Sequence, residues 1–469
     1  VNEKMAKNIS FVNSETLTQF KRKTIVVVLI ALIIGLPTFF YAGYYAARAY
    51  PSGATPVYEH PISDYNYLIW KDGSTYYAKN GMVGTIDYSG TNGATVIQNA
   101  LDALTRGGLV LLVGRTFDLG TTQIQLKYDG QRLRGLSGSI VPETEITYSG
   151  TDYAIKVAKA NVSNALYGFE VGEFYLGVTG GSGSGILTYN AHWGIVHDVY
   201  IEGAVIGIKS YGCWESEIMH CEIRSPTNRG IWVDGEVAMG SHLLRIEDNY
   251  IDGTPYGIYI DDNASNPLGI KIRDNDFGFV NSMVGVLVTY QTRNLEITGN
   301  HFEEGVGLTN TVQIRLNGVG YKHMRDTHIT GNTFITSNTA IYIDYAIGVY
   351  IYHNIINGYG GSAVFVDTLT SNHAGKVMVD ENYISDATVS INSYSYVIFD
   401  KMSGNATISG STSVLVNHYL SGTPTIIVIT PRSSGYGDFF TGVRTATQFS
   451  INVTSSGTYV FDWYAEISR

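Results

Sequence analysis

Arg245-Ile246-Glu247-Asp248-Asn249-Tyr250-Ile251, Lys271-Ile272-Arg273-Asp274-Asn275-Asp276-Phe277 and Glu296-Ile297-Thr298-Gly299-Asn300-His301-Phe302 are three copies of one pattern. An isoleucine is followed three residues on by an asparagine and two further on by a bulky apolar side chain. The pattern continues as Ile329-Asn332-Phe334, Ile351-Asn354-Ile356 and Val379-Asn382-Ile384, and an earlier copy, Ile218-Cys221-Ile223, has cysteine in the asparagine position. Successive asparagines lie 26, 25, 32, 22 and 28 residues apart, and a recurring unit of that length is the mark of a solenoid.

Most copies are accompanied by a second short segment: Gly230-Ile231-Trp232-Val233, Gly257-Ile258-Tyr259-Ile260, Gly285-Val286-Leu287-Val288, Ala340-Ile341-Tyr342-Ile343 and Ala363-Val364-Phe365-Val366. Their alternation of β-branched and aromatic residues has the period of a strand, and no helical face runs through the repeat. Two or three strands per coil, stacked in register, bury the isoleucines in one interior column and the phenylalanines in another. Each asparagine then occupies a tight bend, where its amide bonds backbone groups and a left-handed conformation is tolerated. The fold class is all-β: a right-handed parallel β-helix, with an N-terminal transmembrane helix, a capping helix and a small C-terminal β-sandwich.

A chain of 469 residues has room for two or three ordinary domains, but a solenoid absorbs that length as one core. Charged residues are only 15%, beside 53 glycines and 35 tyrosines, which suits a turn-rich β surface and not a disordered chain. Net charge is −11, and since residues 1–23 carry five basic and two acidic side chains, the remainder carries −14. No nucleic-acid partner is expected from that balance. Cys213 and Cys221 are the only cysteines. A disulfide between them is open in an oxidising compartment, while Cys221 in the asparagine column also reads as a small buried filler. No cysteine or histidine cluster suggests a structural metal.

From Thr24 to Ala47 the chain has no charged residue and includes ten consecutive apolar positions, Ile25 to Ile34, enough to cross a bilayer as one helix. Lys21, Arg22 and Lys23 precede it, and Phe39, Phe40, Tyr41, Tyr44 and Tyr45 gather at its far end. The positive-inside rule therefore puts residues 1–23 inside a cell or virion and everything after Arg48 outside. Ala47-Arg48-Ala49 also resembles a signal-peptide cleavage site, but the apolar stretch exceeds a usual signal core, so a retained span is the reading. Sequons at Asn161, Asn263, Asn405 and Asn452 lie on the outer side, where glycosylation takes place.

The chain divides into a basic internal tail at 1–23, the span at 24–47, a stalk with the first strands at 48–85, the β-helix at 86–400 and a C-terminal module at 401–469. Within the stalk, Lys71-Asp72-Gly73-Ser74 marks a hairpin turn. A capping helix is expected at 95–106, with Val96, Ile97, Ala100, Leu101 and Leu104 on one face, covering the open end of the solenoid. Asp87 to Leu104, Gly107-Gly108-Leu109-Val110-Leu111-Leu112-Val113-Gly114 and Leu133-Arg134-Gly135-Leu136-Ser137-Gly138 together resemble the opening of pectate-lyase-like β-helix proteins, a superfamily that includes phage tailspikes and many surface proteins. Asn417-His418-Tyr419-Leu420, Thr423-Pro424-Thr425 and Asp462-Trp463-Tyr464-Ala465 resemble small β-sandwich modules at the ends of phage and viral tail fibres. The tailspike resemblance implies a homo-oligomer, a trimer by analogy.

Enzymes on this fold need clustered carboxylates: lyases to hold Ca²⁺ beside a basic residue, hydrolases as an acid and base pair. Three constellations qualify. Asp234, Asp261, Asp344 and Asp367 each follow the second strand of a coil, although an aspartate opening a turn explains each singly. Glu217, Arg245, Lys271, Glu296 and His328, with Glu247 and Arg273, form an outward ladder in which neighbouring coils present opposite charges. Glu303 and Glu304 precede the longest coil, where insertions fall on loops and loops carry function. Tyr290, Tyr321 and Tyr345 nearby are candidates to stack on sugar rings. The catalytic candidates are thus Glu303, Glu304, Asp344 and Asp367, yet the polygalacturonase signature set and a pectate-lyase arginine motif are not reproduced. The resulting expectation is a membrane-anchored extracellular β-helix with a structural or attachment role, binding glycans or other copies of itself. A surface polysaccharide lyase or hydrolase is the alternative, and a filament subunit with its N-terminal helix in the core a second.

Overall fold

The computed structural model describes residues 64–467 apart from 115, 137–141, 236–239, 263–267, 290–291, 306, 319–323, 337, 345, 359–360, 368–376, 386, 392–396, 399–400, 419 and 421. The basic tail, the apolar span 24–47, most of the stalk, Asn263 and the three candidate rings Tyr290, Tyr321 and Tyr345 lie outside the described residues. Among the described residues no helix is long and apolar enough to cross a membrane.

Each coil carries three short strands because three alternating segments per coil turn apolar residues inward. On the first sheet Ile218, Ile246, Ile272, Ile297, Ile329, Ile351 and Val379 stack in parallel register. On the second, Ile223, Ile251, Phe277, Phe302, Phe334, Ile356 and Ile384 do the same. The third sheet is eleven strands deep, from Ile124–Leu126 to Thr388–Ile391, and aligns Ile208, Ile231, Ile258, Val286, Ile314 and Ile341. None of these side chains is more than 7% exposed, and each contributes about 1.5–3 kcal/mol by leaving water. Phe277, Phe302 and Phe334 stack face to face with ring centres 4.7 and 5.0 Å apart. The architecture is the expected right-handed parallel β-helix.

The corner between the first and second sheets is held by a buried amide ladder. Asn249, Asn275, Asn300, Asn332, Asn354 and Asn382 are at most 4% exposed. Asn275 Nδ2 donates to Asn300 Oδ1 at 2.9 Å and to the Ile246 carbonyl at 2.9 Å, and the same Oδ1 accepts the Asn275 backbone N–H at 3.0 Å. The scheme repeats along the column. The left-handed conformation, however, belongs to the residue before each asparagine: Asp248, Asp274, Gly299, Gly331, His353 and Glu381 have φ between 50° and 72°. The turn puts that conformation at the outward position and leaves the asparagine amide facing the interior backbone groups that need partners. Cys221 holds the same column, its N–H donating to Asn249 Oδ1 at 2.9 Å. The disulfide is not formed: Cys213 and Cys221 are free, buried thiols. Cys213 Sγ turns to Thr188 and Cys221 Sγ to the Met219 carbonyl, so the two do not face each other as a bridge requires.

At the N-terminal end β1 (Tyr67–Asp72) and β2 (Thr75–Asn80) form the hairpin around Gly73, and β3 (Ile86–Gly90) extends it. Helix α1 (Gly93–Ala103) follows, and β4 (Gly108–Val113) runs parallel to β1 into the coil. Asn92 caps α1 by accepting the Thr95 N–H at 2.9 Å. The helix ends at Ala103, short of 106, because the buried Gln131 amide takes the carbonyls of Leu101 and Leu104. Val96, Ile97, Ala100 and Leu101 are its buried face. At the other end, Lys401–Asn417 and Gln448–Glu466 pair along most of their length, with register breaks around Ser409, Ser411 and Ser413. Phe449 meets Trp463 at 5.4 Å and Phe439 meets Phe461 at 5.8 Å. The ribbon therefore bends back on itself, bringing distant parts of the same long strand face to face. His418 is fully buried and bonds the Thr445 carbonyl at 3.0 Å, a structural role.

Candidate functional site

On the third sheet the inward aliphatics alternate with an outward column that runs Lys209, Trp232, Tyr259, Leu287, Arg315, Tyr342 and Phe365. The neighbouring outward position adds Arg229. Its guanidinium lies 4.2 Å from the Trp232 ring centre and 4.5 Å from that of Tyr259, and the Lys209 ammonium sits 3.3 Å over Trp232. Further along, Arg315 lies 4.9 Å over Tyr342, whose ring stacks on Phe365 at 5.2 Å. Lys209 has a carboxylate partner in Asp234 at 2.7 Å. Among the described residues Arg229 and Arg315 have no ion pair, and their buried Nε atoms, with Trp232 Nε1, have no hydrogen-bond partner. Buried donors are normally satisfied. Cations held on ring faces with donors to spare suit a ligand that brings rings and anionic acceptors.

A second concavity opens on the outer face of the second sheet. It encloses about 460 Å³ and is lined by Tyr250, Asp252, Asp276, Gly278, Phe279 and Glu303, among others. Asp252, Gly278 and Glu303 occupy one column on successive coils, so the two carboxylates stand two rises, about 9.5 Å, apart. Gly278 leaves the floor open: a Cβ there would lie 3.0 Å from Asp252 Cβ and 3.1 Å from the Tyr250 hydroxyl. That hydroxyl donates to Asp252 Oδ2 at 3.1 Å. Asp276, in the adjacent column beside His301, is exposed. The cleft walls desolvate it and Glu303 repels it, so its pKa rises above the ordinary carboxylate value although His301 pulls the other way.

The sequence candidates separate. Glu303 points into this cleft with 67% of its side chain exposed. Glu304 is 3% exposed and accepts from Thr336 Oγ1 at 2.9 Å and Asn338 Nδ2 at 2.7 Å, stapling two coils together. Asp344 lies at the far end of the strand Thr339–Asp344, about 16 Å along it, and Asp367 accepts the Tyr342 hydroxyl at 3.0 Å. The four catalytic candidates do not form one cluster, although Asp344 and Asp367 follow the paired Ile343 and Val366 at matching positions on neighbouring coils. Asp234, Asp261 and Asp344 share a column interrupted by Thr289 and Asn317, and Asp234 accepts the Gly235 N–H at 2.8 Å as a turn-opening aspartate does. In the charge ladder Arg245 pairs with Glu217 at 2.7 Å and Lys271 with Glu296 at 3.6 Å, whereas Arg273 reaches forward to Glu296 instead of back to Glu247. Asn161 is exposed, but Asn405 and Asn452 commit their amide nitrogens to Ser385 and Ser450. Asp252 and Asp276 were not singled out in the sequence. Reading one and three residues past each asparagine, Asn249 to Asp252, Asn275 to Asp276 and Asn300 to Glu303, finds the trio.

A family profile described as periplasmic copper-binding protein (NosD) matches residues 72–305 and 234–374. The two matches overlap, as a coil repeat permits. The described residues do not fit copper: no group of three or more histidines, cysteines or carboxylates among them is placed to hold a metal. Burial pushes the Cys221 thiol up to about 12 and raises Cys213 as well, so both stay protonated. No curated protein matches the chain significantly. Among solved structures, PfbA, a surface adhesin of Streptococcus pneumoniae, is 13% identical over 78% of this chain and 96% of its own, with a TM-score of 0.49. An exopolygalacturonase from Thermotoga maritima is 14% identical over 66% and 88%, with a TM-score of 0.47. The tailspike protein of E. coli bacteriophage HK620, in complex with a pentasaccharide, is 10% identical over 81% and 90%, with a TM-score of 0.45. The fold is a right-handed parallel β-helix. With the profile spanning 72 to 374, well over half of the 469 residues, the chain belongs to the family described as periplasmic copper-binding protein (NosD).

Proposed function

We propose that the chain is an extracellular β-helix for attachment, whose third sheet holds an extended acidic glycan along its outer face. The observation that carries this reading is the Arg229 guanidinium stacked 4.2 Å from Trp232 and 4.5 Å from Tyr259 without an ion pair among the described residues. Arg315, three coils and about 14 Å further on, repeats the arrangement over Tyr342. A cation on a ring face keeps its charge while shedding water, and the same rings stack on the apolar faces of sugars. The apolar span 24–47 serves as the bilayer tether, Asn161 as the open glycosylation site, and the C-terminal module, which exposes Ile426, Val428, Phe440 and Val443, as the self-association surface. Affinity electrophoresis in polygalacturonate gels tests the binding reading: retardation is expected, falling at least fivefold in Arg229→Gln and Trp232→Ala. An unretarded chain in polygalacturonate, alginate and hyaluronate overturns it.

A second reading is hydrolysis in the cleft of the second sheet. Asp276, raised by burial, serves as the proton donor, and Asp252 or Glu303 as the base that activates water. Reducing ends released from a polysaccharide by the unmodified chain and lost in Asp276→Asn support it, and absence of any release across neutral and acidic polymers removes it.

A further inference from the structure

The corner that joins the third sheet to the first carries a ridge that neither glycan binding on the third sheet nor the acidic cleft uses. Tyr167 and His192 are in parallel register, as are Trp214, His242 and Leu268 on later coils. One residue further along each coil, Trp193, Glu215, Leu243, Gly269, Asn294 and Asp326 form an outward column, all with φ between 49° and 71°. Glycine, asparagine and aspartate suit that backbone. A tryptophan or leucine there strains it by roughly 1–2 kcal/mol, and strain of this kind gathers at ligand sites. Burial does not offset it, since Trp193 is 61% exposed, Trp214 47%, Leu243 47% and Tyr167 39%. The rings are nonetheless ordered against one another: Tyr167 lies 5.0 Å from Trp193, Trp214 stacks on His192 at 5.1 Å, and Trp214 Nε1 is fixed on the Gly240 carbonyl at 2.8 Å.

Beside the ridge lies a cleft of about 460 Å³ lined by Glu215, Glu217, Leu243, Arg245, Gly269 and Lys271. Two acids and two bases balance there, Glu217 already paired with Arg245 at 2.7 Å. Such a field attracts neither polyanion nor polycation. It suits an uncharged ligand whose groups both donate and accept, and the rings beside it suit one with flat apolar faces. We propose that this corner is a separate binding site for a neutral, pyranose-type glycan, with Trp193, Trp214 and Tyr167 as the stacking platform and the balanced cleft as the receiver of its hydroxyls.

The test uses the full chain in a zwitterionic detergent and affinity gels containing dextran, mannan or glucomannan. Retardation by at least one of these polymers is expected, falling at least fivefold in Trp193→Gly and in Trp214→Ala while retardation in polygalacturonate is unchanged. Trp193→Gly is also expected to leave the melting temperature level or raise it, because glycine relieves the left-handed strain and little packing is lost. The proposal is overturned if none of the three polymers retards the chain, if Trp193→Gly lowers the melting temperature, as a packing role demands, or if either variant shifts the sedimentation coefficient, as a contact between copies demands. Failure in polygalacturonate alone counts against the third-sheet reading and leaves this one standing.

Discussion

The same coil turns two corners in contrasting ways. Between the first and second sheets one residue type recurs six times, buried to 4% exposure or less, and each of the first five is bonded to its successor in the next coil. Between the third and first sheets the corresponding outward column runs Trp193, Glu215, Leu243, Gly269, Asn294, Asp326, six residues of five different chemical kinds. A buried polar ladder tolerates one side chain because every member is donor and acceptor to its neighbours, and a gap leaves several groups without water or partner. An exposed turn restricts only φ, so side chains there are free to serve recognition.

Perturbing the interior beside the asparagine corner gives the largest expected effect. Phe302→Ala removes the centre of the three-ring stack and should cost about 4 kcal/mol, read as a fall in the urea midpoint. Asn300→Ala strands the Asn275 amide and backbone N–H and the Ile272 carbonyl, for a loss of about 3 kcal/mol by the same measurement. A loss under 1 kcal/mol would erase the distinction between the corners.

The contrast sharpens along the first corner itself. Before the asparagines begin, the column holds Phe174, Val199 and Cys221, and charge replaces the ladder: His197 lies 3.1 Å from Glu170 and 2.6 Å from Asp198, and Arg134 pairs with Glu170 at 3.3 Å. Burial lowers the His197 pKa, but the two carboxylates more than reverse this and leave it raised. Burial likewise pushes Glu170 up, and His197 with the two arginines brings it below its ordinary value. The histidine contribution is therefore complete below about pH 6.5 and is lost as pH rises through the higher folded value. The glutamate contribution is complete above about pH 4.3 and is lost as pH falls through the lower folded value. Melting temperature should peak between those limits, and His197→Gln should flatten the alkaline side. An unchanged alkaline slope in that variant would place the titration elsewhere.

At the second corner, Trp193→Gly should gain about 1 kcal/mol by relieving the left-handed backbone, a reversal of sign relative to Asn300→Ala. The smallest effect belongs to the outward ladder. Arg245→Ala breaks a pair whose side chains are 54% and 35% exposed, and solvent screening limits the change to about 0.5 kcal/mol.

Much of the interior was legible because burial imposes period: the asparagines, the isoleucine and phenylalanine columns and the Gly-Ile-x-Val strands follow from alternation and spacing. The asparagine's amide role was readable too, but not the one-residue displacement of the left-handed position to Asp248 and its equivalents, which depends on which peptide of the bend faces solvent. The candidate sites were less legible. Glu303 and Glu304 are adjacent in sequence yet diverge, because Glu303 closes the strand His301–Glu303 on its exposed face while Glu304, one residue past it, is buried and bonded to Thr336 and Asn338 of the next coil. Asp252 and Asp276 each look like an ordinary turn carboxylate, and only the register joining Asp252, Gly278 and Glu303 shows a cleft.

By itself, the sequence determined that this chain coils, what fills the coil and where the apolar N-terminal span lies, since these depend on hydrophobic period and on neighbours within a few residues. Tertiary structure alone decided which outward side chains meet, Arg229 with Trp232 and Tyr259 and Trp193 with Tyr167, and that Asp252 and Glu303 line one cleft. Coils of 22 to 32 residues bring positions far apart in the chain to within about 4.8 Å of rise, and the loop lengths that set their alignment follow no period.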